Sequence, residues 1–185
     1  MKTSLITAYA VNPYRGSEDG TGWNIARQVA KQYHTIIVTR KNNRAEIERY
    51  MSEVNDPVHN NMEFLYYDLP YWMMFWKKKI GPRGYVLYYY LWQLFMPLFI
   101  LRRKLKFDIA HVCNFHSDSH PNFLWLFGKP TIWGPIGHHP PMPLEYIEHH
   151  GKKVVATDRK YALVKWIMRN LDPFFRLSVW RSDAI

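Results

Sequence analysis

The sequence predicts an α/β fold, a mostly parallel sheet flanked by helices, on three observations. An apolar run, Leu5 to Val11, is followed by a glycine-rich turn and then by Trp23, Ala26, Ala30 and Tyr33, spaced as one face of a helix. A second β-rich run, Thr35 to Thr39, comes directly after that helix, which makes a βαβ unit with a parallel pairing and a right-handed crossover. Further short apolar runs alternate with helical stretches as far as Trp133. The 185 residues are enough for one domain with a substantial core, and the whole chain, 1–185, reads as a single domain.

The elements follow in order. The first strand leads into Asn12 to Trp23, NPYRGSEDGTGW, which reads as a strand-to-helix turn holding Gly16, Gly20 and Gly22. Such glycines allow positive φ and close backbone approach to a ligand. The helix they open presents N–H groups and partial positive charge, suited to a phosphate. The same pattern also serves as a plain glycine-rich connection. It has neither the G-x-G-x-x-G order of a dinucleotide fingerprint nor the Lys-Ser/Thr of a P-loop. Glu18, a carboxylate inside the GSEDGTG run, is able to bond a hydroxylated ligand or simply to favour the helix N-terminus.

After Thr39 a polar helix is expected over roughly Arg44 to Val54, capped by Asn42 or Asn43 and ended at Asp56-Pro57. A third strand fits Met62 to Tyr67, a fourth Phe107 to Val112 and a fifth Pro130 to Trp133. A last helix runs from about Tyr161 to Arg181, kinked or broken at Asp172-Pro173, and Arg181 to Ile185 reads as the entry to a sixth strand.

Between the third and fourth strands lies an aromatic and apolar stretch, Tyr71 to Lys106, interrupted by Gly81-Pro82-Arg83-Gly84. Tyr85 to Leu101 carries no charge and is flanked by Lys77, Lys78, Lys79 and by Arg102, Arg103, Lys104. As a helix it is about 26 Å long, short of the roughly 30 Å hydrocarbon core of a bilayer. It reads as a core helix, as an interfacial contact with anionic lipid through Trp72, Phe75, Trp76 and Lys77 to Lys79, or least readily as a span.

Composition narrows the partners. Lys and Arg number 25 against 15 Asp and Glu, a formal charge of +10, which points to an anionic partner. The aromatic residues cluster in an apolar run and no nucleic-acid motif is present, so a nucleic acid is not the expected one. The single Cys113 excludes an intrachain disulfide and fits a reducing compartment. The N-terminus lacks the pattern of a signal peptide, and a cytoplasmic location is expected.

Seven of nine histidines lie between His111 and His150. His116 and His120 have a metal-compatible spacing, but Pro121 follows and no third ligand is evident, so they read as loop or ligand-contacting histidines and no metal is expected. No G-x-S-x-G elbow, H-E-x-x-H pair or zinc-spaced cysteine pair occurs. Trp133, ahead of Gly134, is either a stacking wall or a core residue.

Five segments in order, NPYRGSEDGTGWN, YYYLWQ, FDIAHV, PTIWGPIG and the closing RSDAI, resemble the N-terminal half of family 4 (group 1) nucleotide-sugar-dependent glycosyltransferases. The resemblance covers nearly the whole chain. It implies the GT-B architecture, two Rossmann-like domains across a cleft, with the acceptor held mainly by the N-terminal one. It implies a retaining, metal-independent transfer from a nucleotide sugar, which is a co-substrate rather than a cofactor, to a glycan or lipid-linked acceptor. On this reading the donor diphosphate faces Gly16, Ser17, Glu18, Gly20 and Gly22. The acceptor lies near His111, His116, Trp133, Gly134, Gly137 and His138, and the protein sits peripherally at the inner face of the membrane.

The sequence departs from that family in two respects. His138-His139-Pro140 stands where many relatives have Gly-Gly-Glu, and the paired-glutamate domain is not within these 185 residues. The chain is therefore expected to be truncated before a C-terminal donor-binding domain and inactive by itself, with catalytic residues unassigned. The alternative expectation is a non-catalytic basic α/β module that binds anionic lipid, polysaccharide or a partner subunit.

Overall fold

A computed structural model describes residues 1–74, 82–113, 118–138 and 140–185. It is an α/β protein with a five-stranded, all-parallel sheet flanked by helices, consistent with a Rossmann-like fold. The strands are β1 (Thr3–Ala8), β2 (His34–Thr39), β3 (Met62–Tyr66), β4 (Ile109–Cys113) and β5 (Thr131–Trp133), in the spatial order β3-β2-β1-β4-β5. The helices are α1 (Ser17–Ala30), α2 (Arg44–Glu53), α3 (Pro82–Arg102), α4 (Leu144–Ile147), α5 (Lys152–Leu171) and α6 (Pro173–Arg181).

Side-chain alternation along the strands builds two cores. Leu5 pairs in register with Ile36 and Ala110, and these face α3 together with Val38 and Val112. Ile6 pairs with Ile37, and these face α1 and α2 with Ala8 and Cys113. A parallel sheet covered on both faces has no polar side to present, which is why β1 and β2 read as continuous apolar runs. On the second face Trp23, Ala26 and Ala30 of α1 are buried, as their helical spacing predicts.

The apolar helix α3 supplies the first core. Tyr88, Trp92, Met96 and Ile100, spaced by four, form its buried stripe, and Trp92 Nε1 donates to the Tyr67 carbonyl at 3.0 Å. Tyr85, Leu87, Leu98 and Leu101 remain exposed on the other side. Among the described residues, Gly84–Arg102 is the helix long and apolar enough to cross a membrane by length and composition, yet 44% of its apolar window is buried in the protein. One face of Tyr85 to Leu101 is thus a core helix.

Several boundaries differ from expectation. β1 ends at Ala8, and α1 begins at Ser17 rather than near Trp23, so Gly20 and Gly22 are helical residues and not loop residues. Asn43 precedes α2, but its side chain makes no cap bond there. Its amide donates instead to the Tyr9 carbonyl at 3.1 Å and to Thr39 Oγ1 at 2.8 Å, tying together the ends of β1 and β2. The last helix starts at Lys152 and divides into α5 and α6. Asp172 caps α6 by accepting from the Phe174 N–H at 2.8 Å, with Pro173 as the first helical residue. Beyond α6, Ala184 forms a parallel bridge with Ile132, which places the closing residues along the outer edge of β5.

Candidate functional site

All strands run the same way, so their carboxyl ends share one edge of the sheet. The chain builds outward from β1 through β2 to β3, then returns to β4 on the opposite side of β1. The crevice at this reversal, bounded by the segments after β1 and β4, is the usual ligand position in such sheets.

The segment after β1 is held by its own hydrogen bonds. Asn12 N–H donates to the Asp19 carbonyl at 3.0 Å, the Tyr14 N–H donates to Asn12 Oδ1 at 2.9 Å, and the Gly20 N–H donates to the Gly16 carbonyl at 3.2 Å. Gly16 precedes α1 with φ −89°, and no side chain caps the helix. The positive φ in this turn belongs to Ser17, at 55°, and not to a glycine. Gly20 is required for a different reason: a Cβ there lies 2.5 Å from the Arg15 carbonyl oxygen. Gly20 and Gly22 are buried, Glu18 is half-buried, and Gly16 and Ser17 face solvent. Of the five residues expected to face a diphosphate, Gly16 and Ser17 alone are exposed at the helix terminus. Glu18 and Asp19 lie in that first turn, where they oppose an anion, and Arg15 offsets Asp19 across 3.7 Å.

Tyr89 of α3 is buried between the segments that follow β1 and β4. Its ring meets Tyr9 edge-on at 5.2 Å and His120 at 5.4 Å, and Gln93 Nε2 donates to its hydroxyl at 2.8 Å. Burial raises the Tyr89 pKa strongly, the Gln93 hydrogen bond acts against that, and the nearby Glu18 carboxylate adds to it. Elements distant in sequence therefore meet here, α3 through Tyr89 and the segment after β4 through His120, and the Glu18 carboxylate at the start of α1 acts on Tyr89 electrostatically. His120 is pushed down to about 4 by burial and then by Lys165, so it is neutral at physiological pH. Cys113, at the end of β4, is pushed up to about 12 by burial and is a protonated thiol rather than a nucleophile.

No family model matches the chain, and no curated protein is significantly similar to it.

The expected acceptor residues do not converge on one surface. His111 Nε2 donates to the Gly134 carbonyl at 2.8 Å, and burial lowers its pKa. That bond clips β4 to the end of β5. Trp133 is buried with its ring edge-on to Phe175 at 5.7 Å, so it is a core residue and offers no stacking face. Gly134 is buried and Gly137 half-buried. His138 is exposed and joins Asp118 and Arg169 of α5, with its Nδ1 bonded to the Asp118 carboxylate and 2.7 Å from Arg169 Nη2. His116 and His139 lie outside the described residues. Among the described residues, no group of three His, Cys, Asp or Glu side chains is arranged to hold a metal.

Tyr89, Asp118 and Arg169 carry no signal in the linear sequence. Tyr89 is one of three consecutive tyrosines, and Asp118 and Arg169 are 51 residues apart. Of the expected membrane contacts, Trp72 is 61% exposed, beside a still more open Tyr71. Phe75, Trp76 and Lys77 to Lys79 fall outside the described residues.

Proposed function

We propose that the chain is the acceptor-binding half of a retaining, nucleotide-sugar-dependent glycosyltransferase acting at the cytoplasmic face of a membrane. The observation that supports this is the switch point of a Rossmann-like sheet, where Gly16 and Ser17 are exposed at the start of α1 and Tyr89 packs against both Tyr9, after β1, and His120, after β4. Exposed backbone at Gly16 and Ser17 lets a donor diphosphate approach the helix terminus. Glu18 accepts hydrogen bonds from sugar hydroxyls, which lessens its conflict with the anion. Neutral His120 exchanges hydrogen bonds without adding charge. In the transfer, the bond from the anomeric carbon to the diphosphate oxygen breaks as the acceptor hydroxyl bonds to that carbon from the same face. The hydroxyl proton leaves with the nucleoside diphosphate. This reading needs no protein nucleophile, and stabilisation of the leaving charge is electrostatic.

The test is sugar transfer by the complete product of the gene against a panel of nucleotide sugars, with the anomeric configuration of the product read by NMR. Transfer with retention is expected, at least tenfold weaker in Gly16→Val, whose side chain enters open space and spares the fold. The 185 residues alone are expected to bind nucleotide sugars weakly and to turn over none. Absence of transfer with every donor, or brisk transfer by these 185 residues alone, overturns the reading.

One observation favours the second reading, a basic binding module. Helix α5 has no buried residue and exposes Leu163, Trp166, Ile167 and Leu171 in a stretch that also carries Lys160, Lys165 and Arg169. A module of that kind binds its anionic partner and transfers nothing.

A further inference from the structure

A cleft of about 540 Å³ lies between α3 and the segment that follows β3. That volume falls within the range of about 300–1,000 Å³ typical of small-molecule sites. Phe95, Leu98, Phe99 and Arg102 form its α3 wall, and their spacing puts them on one face of the helix. Tyr67 to Met73 form the other wall, and Lys41, just after β2, borders it. The Tyr67 and Phe99 rings, 4.6 Å apart, join the two walls. The Met73 N–H donates to the Pro70 carbonyl at 2.9 Å, a turn that leaves Tyr71 and Trp72 exposed, and Leu98 on the α3 wall is exposed too.

We infer that this cleft binds one molecule of an anionic glycerophospholipid, the phosphate meeting Lys41 and Arg102 and the first part of an acyl chain lying along Trp72, Phe95 and Leu98. The inference deepens the reading of a membrane-facing protein and rests on it for the source of the lipid alone.

Charge and chemistry both support this occupant. Lys41 and Arg102 are exposed, and among the described residues neither is in an ion pair. Asp68, the acidic residue among those lining the cleft, is already engaged: it pairs with Arg40 and accepts from the Tyr88 hydroxyl and the Lys41 N–H. The local potential is therefore positive. Aromatic and apolar side chains beside cations are the arrangement found at the level of lipid headgroups. A free phosphate leaves the aromatic walls wet. A zwitterionic lipid brings its own ammonium towards two cations. A lipid with a net negative head satisfies both the walls and the charges.

The test is calorimetric titration of the chain with dihexanoyl phosphatidylglycerol below its micelle concentration, beside dihexanoyl phosphatidylcholine and glycerol phosphate. Saturable 1:1 binding of the phosphatidylglycerol is expected, at least tenfold tighter than either comparison compound. Lys41→Ala with Arg102→Ala should weaken it at least tenfold. Leu98→Glu, at an exposed position, should abolish it with an unchanged circular dichroism spectrum. Should a variant fold poorly, the same lipid bearing a diazirine on its chain must label the wild-type protein within residues 67–73 or 95–102. Equal binding of phosphatidylcholine or of glycerol phosphate, or labelling elsewhere, overturns the inference. Co-sedimentation with phosphatidylglycerol vesicles separates it from the membrane reading. Binding to vesicles without binding of the dispersed lipid overturns the cleft and leaves that reading standing. Binding of the dispersed lipid without binding to vesicles upholds the cleft and overturns that reading.

Discussion

Arg40 and Asp68 form an ion pair just past the carboxyl ends of β2 and β3, Nε to Oδ1 at 3.1 Å, with side chains only 12% and 8% exposed. The same carboxylate accepts from the Tyr88 hydroxyl at 2.9 Å and from the Lys41 N–H at 3.2 Å, and the Arg40 guanidinium lies 4.8 Å from the centre of the Tyr9 ring. One carboxylate thus links β2, β3 and α3 beside the crevice. Removing one member of a buried pair strands the other charge, at a cost of about 3–5 kcal/mol. Asp68→Ala should therefore lower the unfolding free energy by about that amount in urea titration, and Arg40→Ala with Asp68→Ala should cost less than the two single changes added together.

The two glycines at the start of α1 should respond differently to the same methyl group. Gly20→Ala drives a Cβ against the Arg15 carbonyl oxygen, and the backbone must shift at a cost of about 1–3 kcal/mol. Gly16→Ala meets nothing within 4 Å and should change stability by less than about 0.5 kcal/mol. Equal melting temperatures for both variants would show that the turn near Arg15 is loosely held.

Ser178 is fully buried and joins α6 to the segment after β4. Its hydroxyl accepts from the Asn122 N–H at 3.0 Å and lies 2.7 Å from the Asn122 carbonyl. Ser178→Ala removes the acceptor of the Asn122 N–H, while the Asn122 carbonyl keeps the Trp125 indole N–H at 2.8 Å, and a loss of about 1–3 kcal/mol is expected by chemical denaturation. Ser178→Thr restores the hydroxyl and should recover part of the loss if the extra methyl fits.

His120 sets a pH dependence with a definite sign. Its folded pKa of about 4 lies below the ordinary histidine value near 6.5, so the unfolded chain takes up its proton first as pH falls. The contribution is complete above about pH 6.5 and lost towards pH 4, a difference on the order of 3 kcal/mol. His111 shifts the same way. Comparing wild type with His120→Gln between pH 7 and pH 4 isolates the effect, and the variant should show the shallower decline. Parallel declines would mean that His120 protonates freely in the folded state.

Membrane contact is testable through the aromatic and basic stretch after β3. Trp72→Ala, and separately Lys77, Lys78 and Lys79 changed to Glu, should each reduce co-sedimentation with anionic vesicles. Binding should weaken as salt rises, because each cation near an anionic surface contributes about 1 kcal/mol at most. Salt-independent binding would argue for insertion of α3 instead.

The strands and their parallel pairing were legible because each strand is a short, largely apolar run between helical stretches, and a βαβ unit pairs its strands in parallel. The break at Asp172-Pro173 was legible because proline removes a donor and aspartate supplies a cap. The start of α1 was not, since Gly20 and Gly22 look like loop residues until their close packing is seen. The first half of α5 was hidden for a related reason: Lys152 to Lys160 has no apolar periodicity, and no residue of that helix is buried. At the candidate site, the glycine turn and the histidine-rich segment were visible as patterns. That Tyr89 and His120 adjoin was not, because their juxtaposition depends on the path of α3 across the sheet.

The closing residues alter what the sheet can do to its neighbours. The N–H groups of Thr131 and Trp133 point away from β4 and are taken by Asp183 Oδ2 at 2.8 Å and by the Ala184 carbonyl at 2.9 Å. A side-chain carboxylate and a single backbone carbonyl thus act as a false sixth strand. They blunt the edge against strand addition by another molecule. The opposite edge has no such guard, for no strand lies beyond β3 among the described residues. Self-association through backbone pairing, if provoked by concentration or heat, is directed to the β3 side. Loss of the last three residues should open the second edge and make the protein stickier.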